Sequence, residues 1–237
     1  GVKMENAALK ILKQAVVLDS HKKFTEAFTC YKEGIQLLLE SVKECKDEAK
    51  KKHFREKVEE YIDRAERIKE ILKNNENLGL KHEQLKISDN SVGYSYETIF
   101  NKYLNPMVSK VIVEDPYIRN ISQVYNFLRF CELLVKKCKQ LKVIHLVTGK
   151  NKEDFITQNQ NLNSIGESLR LHNIQLFIEF SETLHDRQIM FDTGWIVKIG
   201  RGLDIYKKTE SRFSIGFSDF DLRPCFETTI DIYCESK

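Results

Sequence analysis

Residues 110–149 read KVIVEDPYIRNISQVYNFLRFCELLVKKCKQLKVIHLVTG, and this stretch decides the fold of the C-terminal half of the chain. Two short runs rich in β-branched residues, 110–115 and 142–149, have the composition of strands. Between them, apolar residues recur at helical spacing over 121–138. The order strand, helix, strand predicts an α/β domain, and the continuous apolar runs predict a sheet covered on both faces.

The sequence beyond this stretch adds further elements of the same kind. IQLFIEF at 174–180 and WIVKIG at 195–200 predict two more strands, and NLNSIGESLRLHN at 161–173 predicts a helix. The tail after Arg212 has an irregular pattern that ends in a strand at TTIDIY, residues 228–233. We therefore expect one α/β domain over residues 93–237.

The N-terminal 76 residues follow a different pattern, since they contain no proline and their apolar residues form three helical stripes. Short polar connections around 20–23 and 46–50 predict an up-down-up bundle of three helices. Gly34, inside the second helix, costs about 1 kcal/mol relative to alanine and is expected at a close helix crossing. The three stripes are Ala8, Ile11, Leu12, Ala15 and Leu18; Ala27, Phe28, Tyr31, Ile35, Leu38, Leu39 and Val42 from about Phe24; and Phe54, Val58, Tyr61, Ala65, Ile68 and Leu72.

The stretch NNENLGLKHEQLKISDNSVG separates the two halves. It is polar, it contains glycine and asparagine, and it has no sustained helical stripe, which is typical of a linker. We expect a linker over residues 77–92, with room for a short strand at 84–87. The predicted organisation is a three-helix bundle over 1–76, this linker, and the α/β domain over 93–237.

Composition excludes several functional classes. The chain has 237 residues, 41% hydrophobic and 31% charged, and its net charge of +3 is too small for binding nucleic acid through bulk electrostatics. No run of about eighteen apolar residues and no signal peptide is visible, so we expect no membrane-spanning segment. Six separated cysteines without a C-x-x-C pair favour a reducing cytosol, and we expect neither a metal nor a cofactor.

The helical half contains motifs of the microtubule-interacting and trafficking (MIT) domain. These are Ala-Val-x-x-Asp at the end of the first helix, an aromatic-x-Glu-Ala start to the second, and Tyr-Ile-Asp-Arg-Ala-Glu in the third. The bundle resembles MIT domains over its whole length. The resemblance implies partners, namely the amphipathic C-terminal helices of ESCRT-III subunits, the charged multivesicular body proteins. It also implies a binding groove between the second and third helices.

The residues of the third helix indicate where such a groove would lie. Ile62 is one position off the apolar seam and is poorly placed for complete burial, while nearby acids favour a tail with leucines and a basic residue. By periodicity alone, Ile62 could equally flank the core and the acids could simply face solvent. The candidate groove residues are Leu38, Val58, Glu59, Ile62, Asp63 and Glu66.

Residues 93–233 contain GYSYETIFNKYL, VEDPYIR, YNFLRFCE, HDRQI, GWIVKIGRGLD and DFDLRPCFETTIDI. These stretches resemble the C-terminal domain of a family of MIT proteins whose fold is phospholipase D-like. Phospholipase D-type sites use H-x-K-x4-D, in which histidine attacks phosphorus, lysine neutralises the phosphate and aspartate orients an imidazole. Here His185, Arg187 and Asp192 have that spacing, with arginine in place of lysine.

The chain has a single copy of this motif, although the reaction needs a second histidine as the acid for the leaving group. We therefore expect a domain that is catalytically inactive. Two alternatives stay open: a homodimer that brings two His185 side chains together as a phosphodiesterase, and an interaction protein without lipid contact.

The family resemblance implies peripheral binding to acidic, phosphoinositide-bearing membranes. Each lysine or arginine near an anionic surface contributes about 1 kcal/mol, so a cluster of four or five suffices for reversible recruitment. The interpretation is a cytoplasmic adaptor on endosomal membranes and at the midbody, acting in abscission at cytokinesis. The candidate membrane-binding residues are Lys136, Lys137, Lys139, Lys142, Arg201, Lys207 and Lys208.

Overall fold

A computed structural model describes residues 2–78 and 82–235. These residues form two compact units, 2–78 and 82–234, and each is considered by itself. Residues 79–81 of the predicted linker lie outside the described residues.

The first unit consists of three helices: α1 (Val2–Ser20), α2 (Phe24–Glu44) and α3 (Glu48–Asn77). The side chain of Asp47 caps the start of α3, since it accepts hydrogen bonds from the backbone N–H groups of Ala49 and Lys50 at 3.0 and 3.2 Å. The connections between the helices are short, as their polar composition predicts. Short connections place consecutive helices side by side with opposite directions.

Two ion pairs fix the direction of α3 relative to α1. Lys50 contacts Glu5 at 2.8 Å, and Arg64 contacts Asp19 at 2.6 Å. Both pairs join residues 45 positions apart in sequence, so α1 and α3 run in the same direction and stay in register. The up-down-up arrangement is confirmed, because α2 packs against both.

The buried residues of the bundle largely follow the predicted stripes. Near the end of α3, Ile71 rather than Leu72 is fully buried, and Leu39 of the second stripe is exposed. Gly34 lies where α2 packs tightly against Leu12 of α1. A Cβ atom at this position would lie 2.6 Å from Cγ of Leu12, which is itself buried. The prediction of a close helix crossing at Gly34 is therefore confirmed.

The second unit is built on one sheet of seven strands in the order β1-β7-β6-β5-β2-β3-β4. Strands β2, β3 and β4 are parallel, and all other neighbours are antiparallel. The strands are β1 (His82–Ile87), β2 (Lys110–Glu114), β3 (Val143–Thr148), β4 (Gln175–Phe180), β5 (Gln188–Phe191), β6 (Trp195–Ile199) and β7 (Thr228–Cys234); the helices are α4 (Tyr96–Phe100), α5 (Ile121–Lys137) and α6 (Phe155–Arg170).

The predicted α/β architecture and its central strand, helix, strand unit are confirmed by β2, α5 and β3. Two strands differ from expectation. The short strand predicted at 84–87 is present as part of β1, but it pairs along its whole length with β7, so residues 82–87 belong to the sheet and not to a linker. The sequence also gave no prediction for β5, a strand of four residues between β2 and β6. The pairing of β1 with β7 and the pairing of β5 with β2 join residues that are distant in sequence, which local composition does not reveal.

Candidate functional site

The first unit has an open groove between α2 and α3 with a volume of about 630 Å³. Leu39 on α2 and Ile62 on α3 face it, with 40% and 37% of their surfaces exposed. An exposed apolar pair on facing helices is suited to the apolar side of an amphipathic helix. The groove is lined by Phe28, Lys32, Glu33, Ile35, Gln36, Leu39, Glu40, Lys43, Ile62, Ala65, Glu66 and Lys69.

Two of the six predicted groove residues, Ile62 and Glu66, line this groove. Leu38 and Val58 do not, because both are buried in the bundle core, where a partner cannot reach them. Their assignment to the groove was wrong. Both belong to the apolar stripes that join the helices, so packing within the bundle uses their surfaces.

Glu59 and Asp63 are exposed on α3 but are not among the residues that line the groove. The lining acids are Glu33, Glu40 and Glu66, and the lining bases are Lys32, Lys43 and Lys69. The prediction of an acidic groove was wrong, because three acidic and three basic side chains line it. The stripe predicted for α2 contained both Leu38 and Leu39, and only Leu38 was predicted in the groove. In the structure Leu38 is buried and Leu39 faces the groove.

In the second unit, four loops meet at one edge of the sheet. The parallel strands β2 and β3 end there, followed by residues 115–119 and 149–154. Because Glu114 pairs with Gln188, and Gln188 with Lys198, β5 begins at this edge and β6 ends at it. The carboxyl ends of parallel strands are where α/β proteins usually bind ligands. We refer to this region as the C-terminal edge.

Asp115 is buried at the C-terminal edge and anchors two of its loops. Its carboxylate accepts hydrogen bonds from the backbone N–H groups of Tyr117 and Leu203, each at 3.0 Å. Burial raises the pKa of Asp115 by disfavouring the charged form, and the two N–H groups partly offset this. Gly202 permits the contact, because a Cβ atom there would lie 2.1 Å from Oδ2 of Asp115.

Two arginines approach the half-exposed ring of Tyr117. The guanidinium of Arg187 lies 4.4 Å from the ring centroid, and that of Arg119 lies 5.1 Å from it. Arg187 also donates to the carbonyl of Gly200, and Nε of Arg119 donates to the carbonyl of Pro116 at 2.8 Å. Guanidinium groups held in this way suit an anionic ligand such as a phosphate.

The structure separates the members of the H-x-R-x4-D motif. Arg187 precedes β5 at the C-terminal edge, whereas Asp192 follows β5 at the opposite edge, about 16 Å further along the strand. Asp192 accepts hydrogen bonds from the backbone N–H of Ser109, at 3.0 Å, and from the Ser109 hydroxyl. Asp192 therefore stabilises a junction between β2 and β5 and does not orient the imidazole of His185.

His185 lies in the exposed loop before β5, and no hydrogen bond to its ring is present among residues 2–78 and 82–235. Within the same residues, no group of three histidine, cysteine, aspartate or glutamate side chains is arranged to hold a metal ion. The motif therefore brings one basic side chain, Arg187, to the C-terminal edge, with no oriented imidazole beside it.

The predicted lysine and arginine residues form two separate clusters. Lys136 and Lys137 both contact Glu97, at 3.5 and 2.8 Å, and Lys142 immediately precedes β3, at the edge opposite the C-terminal edge. The hydrogen bond from Lys137 lowers the pKa of Glu97, and the charge of Lys136 acts in the same direction. Lys139 is exposed near them.

Arg201 and Lys207 belong together, since both lie over the ring of Phe226, at 4.1 and 5.4 Å from its centroid. Lys207 also contacts Asp89 at 2.8 Å, and Lys208 beside it is exposed. Because Arg201 follows β6, this second cluster starts from the C-terminal edge. The two clusters cannot form one continuous patch, since the length of a strand separates them.

The chain combines a three-helix bundle that has an open α2–α3 groove with an α/β domain that has one H-x-R-x4-D motif. This combination defines the class of MIT proteins with a phospholipase D-like domain. The MIT (microtubule interacting and transport) domain family matches residues 5–70. The family described as a phospholipase D-like domain at the C-terminus of MIT matches residues 93–234.

The chain is 47% identical over 228 residues to MIT domain-containing protein 1 of Mus musculus, covering 96% of this chain and 92% of that protein. It belongs to the family of MIT domain-containing protein 1. No helix within the described residues is both long enough and apolar enough to cross a membrane.

Proposed function

We propose that this chain is an adaptor that binds the helical tails of ESCRT-III subunits with its first unit and acidic, phosphoinositide-bearing membranes with its second. It acts peripherally on endosomal membranes and at the midbody, in abscission at cytokinesis. The observation that carries the proposal is the α2–α3 groove with Leu39 and Ile62 exposed on its two walls.

MIT domains generally bind ESCRT-III tails, and the groove supports this role here. The apolar floor between α2 and α3 suits leucines spaced three or four residues apart. The mixed charges at the rim, such as Lys43 and Glu66, favour a tail that carries both signs and fix its direction.

The second cluster supports membrane binding. Arg201, Lys207 and Lys208 are three neighbouring cations, of which Lys207 is paired with Asp89. At about 1 kcal/mol for each cation near an anionic surface, Arg201 and Lys208 contribute a weak, reversible attraction. Attachment to ESCRT-III tails at the same time raises the effective concentration of each weak contact. Recruitment by the whole chain is therefore expected to exceed that of either unit.

The second unit binds its anionic ligand without cleaving it. Arg187 alone can neutralise a phosphate, but hydrolysis also needs a nucleophile and an acid for the leaving group. His185 is exposed in its loop and Asp192 lies at the other end of β5, which favours binding over catalysis.

The groove is tested with a fluorescent peptide of an ESCRT-III C-terminal tail and fluorescence anisotropy. Ile62→Asp places a carboxylate on the groove floor and is expected to weaken binding by about 2 kcal/mol or more, roughly thirtyfold. Val16→Asp is the matched control, because Val16 is a similarly exposed apolar residue on α1, outside the groove. Weakening by Val16→Asp but not by Ile62→Asp would transfer the binding surface to α1.

Membrane binding is tested by sedimentation with acidic vesicles. Reversing Lys208, the exposed member of the second cluster, together with Arg212, exposed on the loop that follows it, is compared with reversing Lys139 and Lys142 near the opposite edge. Both double variants change the net charge equally, so a larger loss for Lys208 and Arg212 assigns the surface. Equal losses would indicate net charge alone, and no sedimentation of the wild-type chain would refute lipid binding.

A further inference from the structure

The loop that follows the second cluster exposes large apolar side chains. Phe213 is 98% exposed and Ile215 is 82% exposed, while Phe217 and Leu222 nearby are also exposed. Single exposed apolar residues are normal on a protein surface, but several on one loop mark an interaction surface. We call residues 208–217 the apolar loop.

The apolar loop is held in place without packing the ring of Phe213. The guanidinium of Arg223 lies behind it and donates hydrogen bonds to the carbonyls of Lys207, Gly216 and Phe217, at 3.1, 2.6 and 2.8 Å. Gly216 has φ +89°, and a Cβ atom there would lie 2.6 Å from the carbonyl oxygen of Leu222. A loop fixed in this way presents its apolar side chains with little loss of entropy on binding.

Hydrogen bonds within residues 211–214, the tip of the apolar loop, also fix its conformation. The backbone N–H of Phe213 donates to Oγ of Ser211, and the N–H of Ser211 donates to Oγ of Ser214, each at 3.1 Å. The polar groups of the tip are thus satisfied locally, while the ring of Phe213 faces solvent.

Charge around the apolar loop selects the partner. Lys208 and Arg212 are exposed, and neither forms an ion pair within the described part of the chain. One acid, Glu210, is exposed on the loop between them, so residues 208–217 carry two basic side chains and one acidic side chain. Two further acids follow the loop: Asp219 accepts from the N–H of Asp221, and Asp221 accepts from the N–H of Ser95 at 3.0 Å. An apolar tip with basic neighbours complements an anionic bilayer, whose headgroups lie above an apolar layer.

We propose that Phe213 and Ile215 insert into the interfacial layer of an acidic membrane while Lys208 and Arg212 contact its headgroups. This inference rests on the proposed membrane binding and specifies how the bilayer is held. The apolar side chains determine the depth of attachment, and the basic side chains provide long-range attraction.

Insertion is measured with Phe213→Trp, which is informative because Trp195 is the sole tryptophan and is buried. The probe is a vesicle of phosphatidylcholine and phosphatidylserine at about 7 to 3, with and without bromine on the acyl chains. We expect a blue shift on binding and quenching by the bromine, with wild-type protein as the background. A bound variant whose tryptophan stays fully accessible to an aqueous quencher would overturn insertion.

Sedimentation with the same vesicles gives an independent measure. The double variant Phe213→Ser, Ile215→Ser is expected to bind at least about tenfold more weakly, because it lacks the two apolar side chains that would be transferred from water to the membrane. Leu171→Ser is the control, because Leu171 is 84% exposed at the end of α6, outside the loop. Its binding is expected to equal that of the wild-type chain.

The outcomes separate the inference from the proposed function. If the wild-type chain sediments and the double variant sediments equally, insertion fails while membrane binding stands. If the wild-type chain does not sediment, both fail. A blue shift of Phe213→Trp that grows with protein concentration in the absence of lipid would identify the loop as an interface between two copies, and would overturn insertion.

Discussion

Replacement of Gly202 by alanine tests whether the buried carboxylate of Asp115 organises the C-terminal edge. Gly93→Ala is the matched control: Gly202 has φ +61° and Gly93 has φ +94°, but a Cβ atom at Gly93 would meet no atom within 4 Å. Alanine tolerates a φ near +57° better than +94°. Backbone strain by itself therefore predicts that Gly93→Ala is the more damaging change.

The contact with Asp115 predicts the opposite order. A Cβ atom at Gly202 would lie 2.1 Å from Oδ2, so the carboxylate must move and weaken its hydrogen bonds to Tyr117 and Leu203. Hydrogen bonds to a charged group contribute about 1.5–3 kcal/mol each, and a left-handed alanine costs about 1–2 kcal/mol. If both hydrogen bonds are lost, we expect a loss of about 4–8 kcal/mol for Gly202→Ala, against about 1–3 kcal/mol for Gly93→Ala.

The assay is urea unfolding followed by the fluorescence of Trp195, which is buried in the second unit and reports its transition. Free energies of unfolding are compared only between variants whose m-values agree, because a changed m-value indicates a different unfolding transition. At low urea, the far-UV circular dichroism of each variant is expected to equal that of the wild-type chain, because both substitutions lie outside the helical bundle. If Gly93→Ala destabilises the second unit as much as Gly202→Ala, the contact with Asp115 does not constrain this edge.

Three further predictions concern the bundle and the degenerate motif. Asp19→Ala removes the carboxylate bound by Arg64 and is expected to lower the free energy of unfolding of the bundle by about 1–3 kcal/mol. The control is Glu60→Ala, which removes an exposed ion pair with Lys57 and is expected to cost at most about 0.5 kcal/mol. Equal losses for the two variants in thermal unfolding would contradict this prediction. Gly34→Ala is expected to destabilise the wild-type bundle, because the added Cβ atom meets the side chain of Leu12. In a Leu12→Ala background the same change is expected to stabilise the bundle by up to about 1 kcal/mol, since alanine is the better helix former. A double-mutant cycle that shows no coupling between the two positions would exclude the close crossing. The purified chain is expected not to hydrolyse bis(p-nitrophenyl) phosphate, and turnover abolished by His185→Ala would overturn the non-catalytic assignment.

Local periodicity was sufficient for the helical half. The stripes around Leu12, Ile35 and Val58 each recur within a few residues, so neighbours in sequence are also neighbours in the core. The same signal placed Ile62 outside the core, which the structure confirms. It could not assign Leu38 and Leu39 to different environments, because adjacent helical positions differ only by rotation about the axis.

The sequence by itself determined the two-part organisation, the helical bundle, and the strand, helix, strand unit of the second part, because these features are encoded by spacing within one element or its neighbours. Only the tertiary structure decided that β1 joins β7, that β5 separates Arg187 from Asp192, and that the second cluster leads into the apolar loop. These outcomes depend on strand register and loop contacts between residues distant in sequence, whose free energy no local pattern contains.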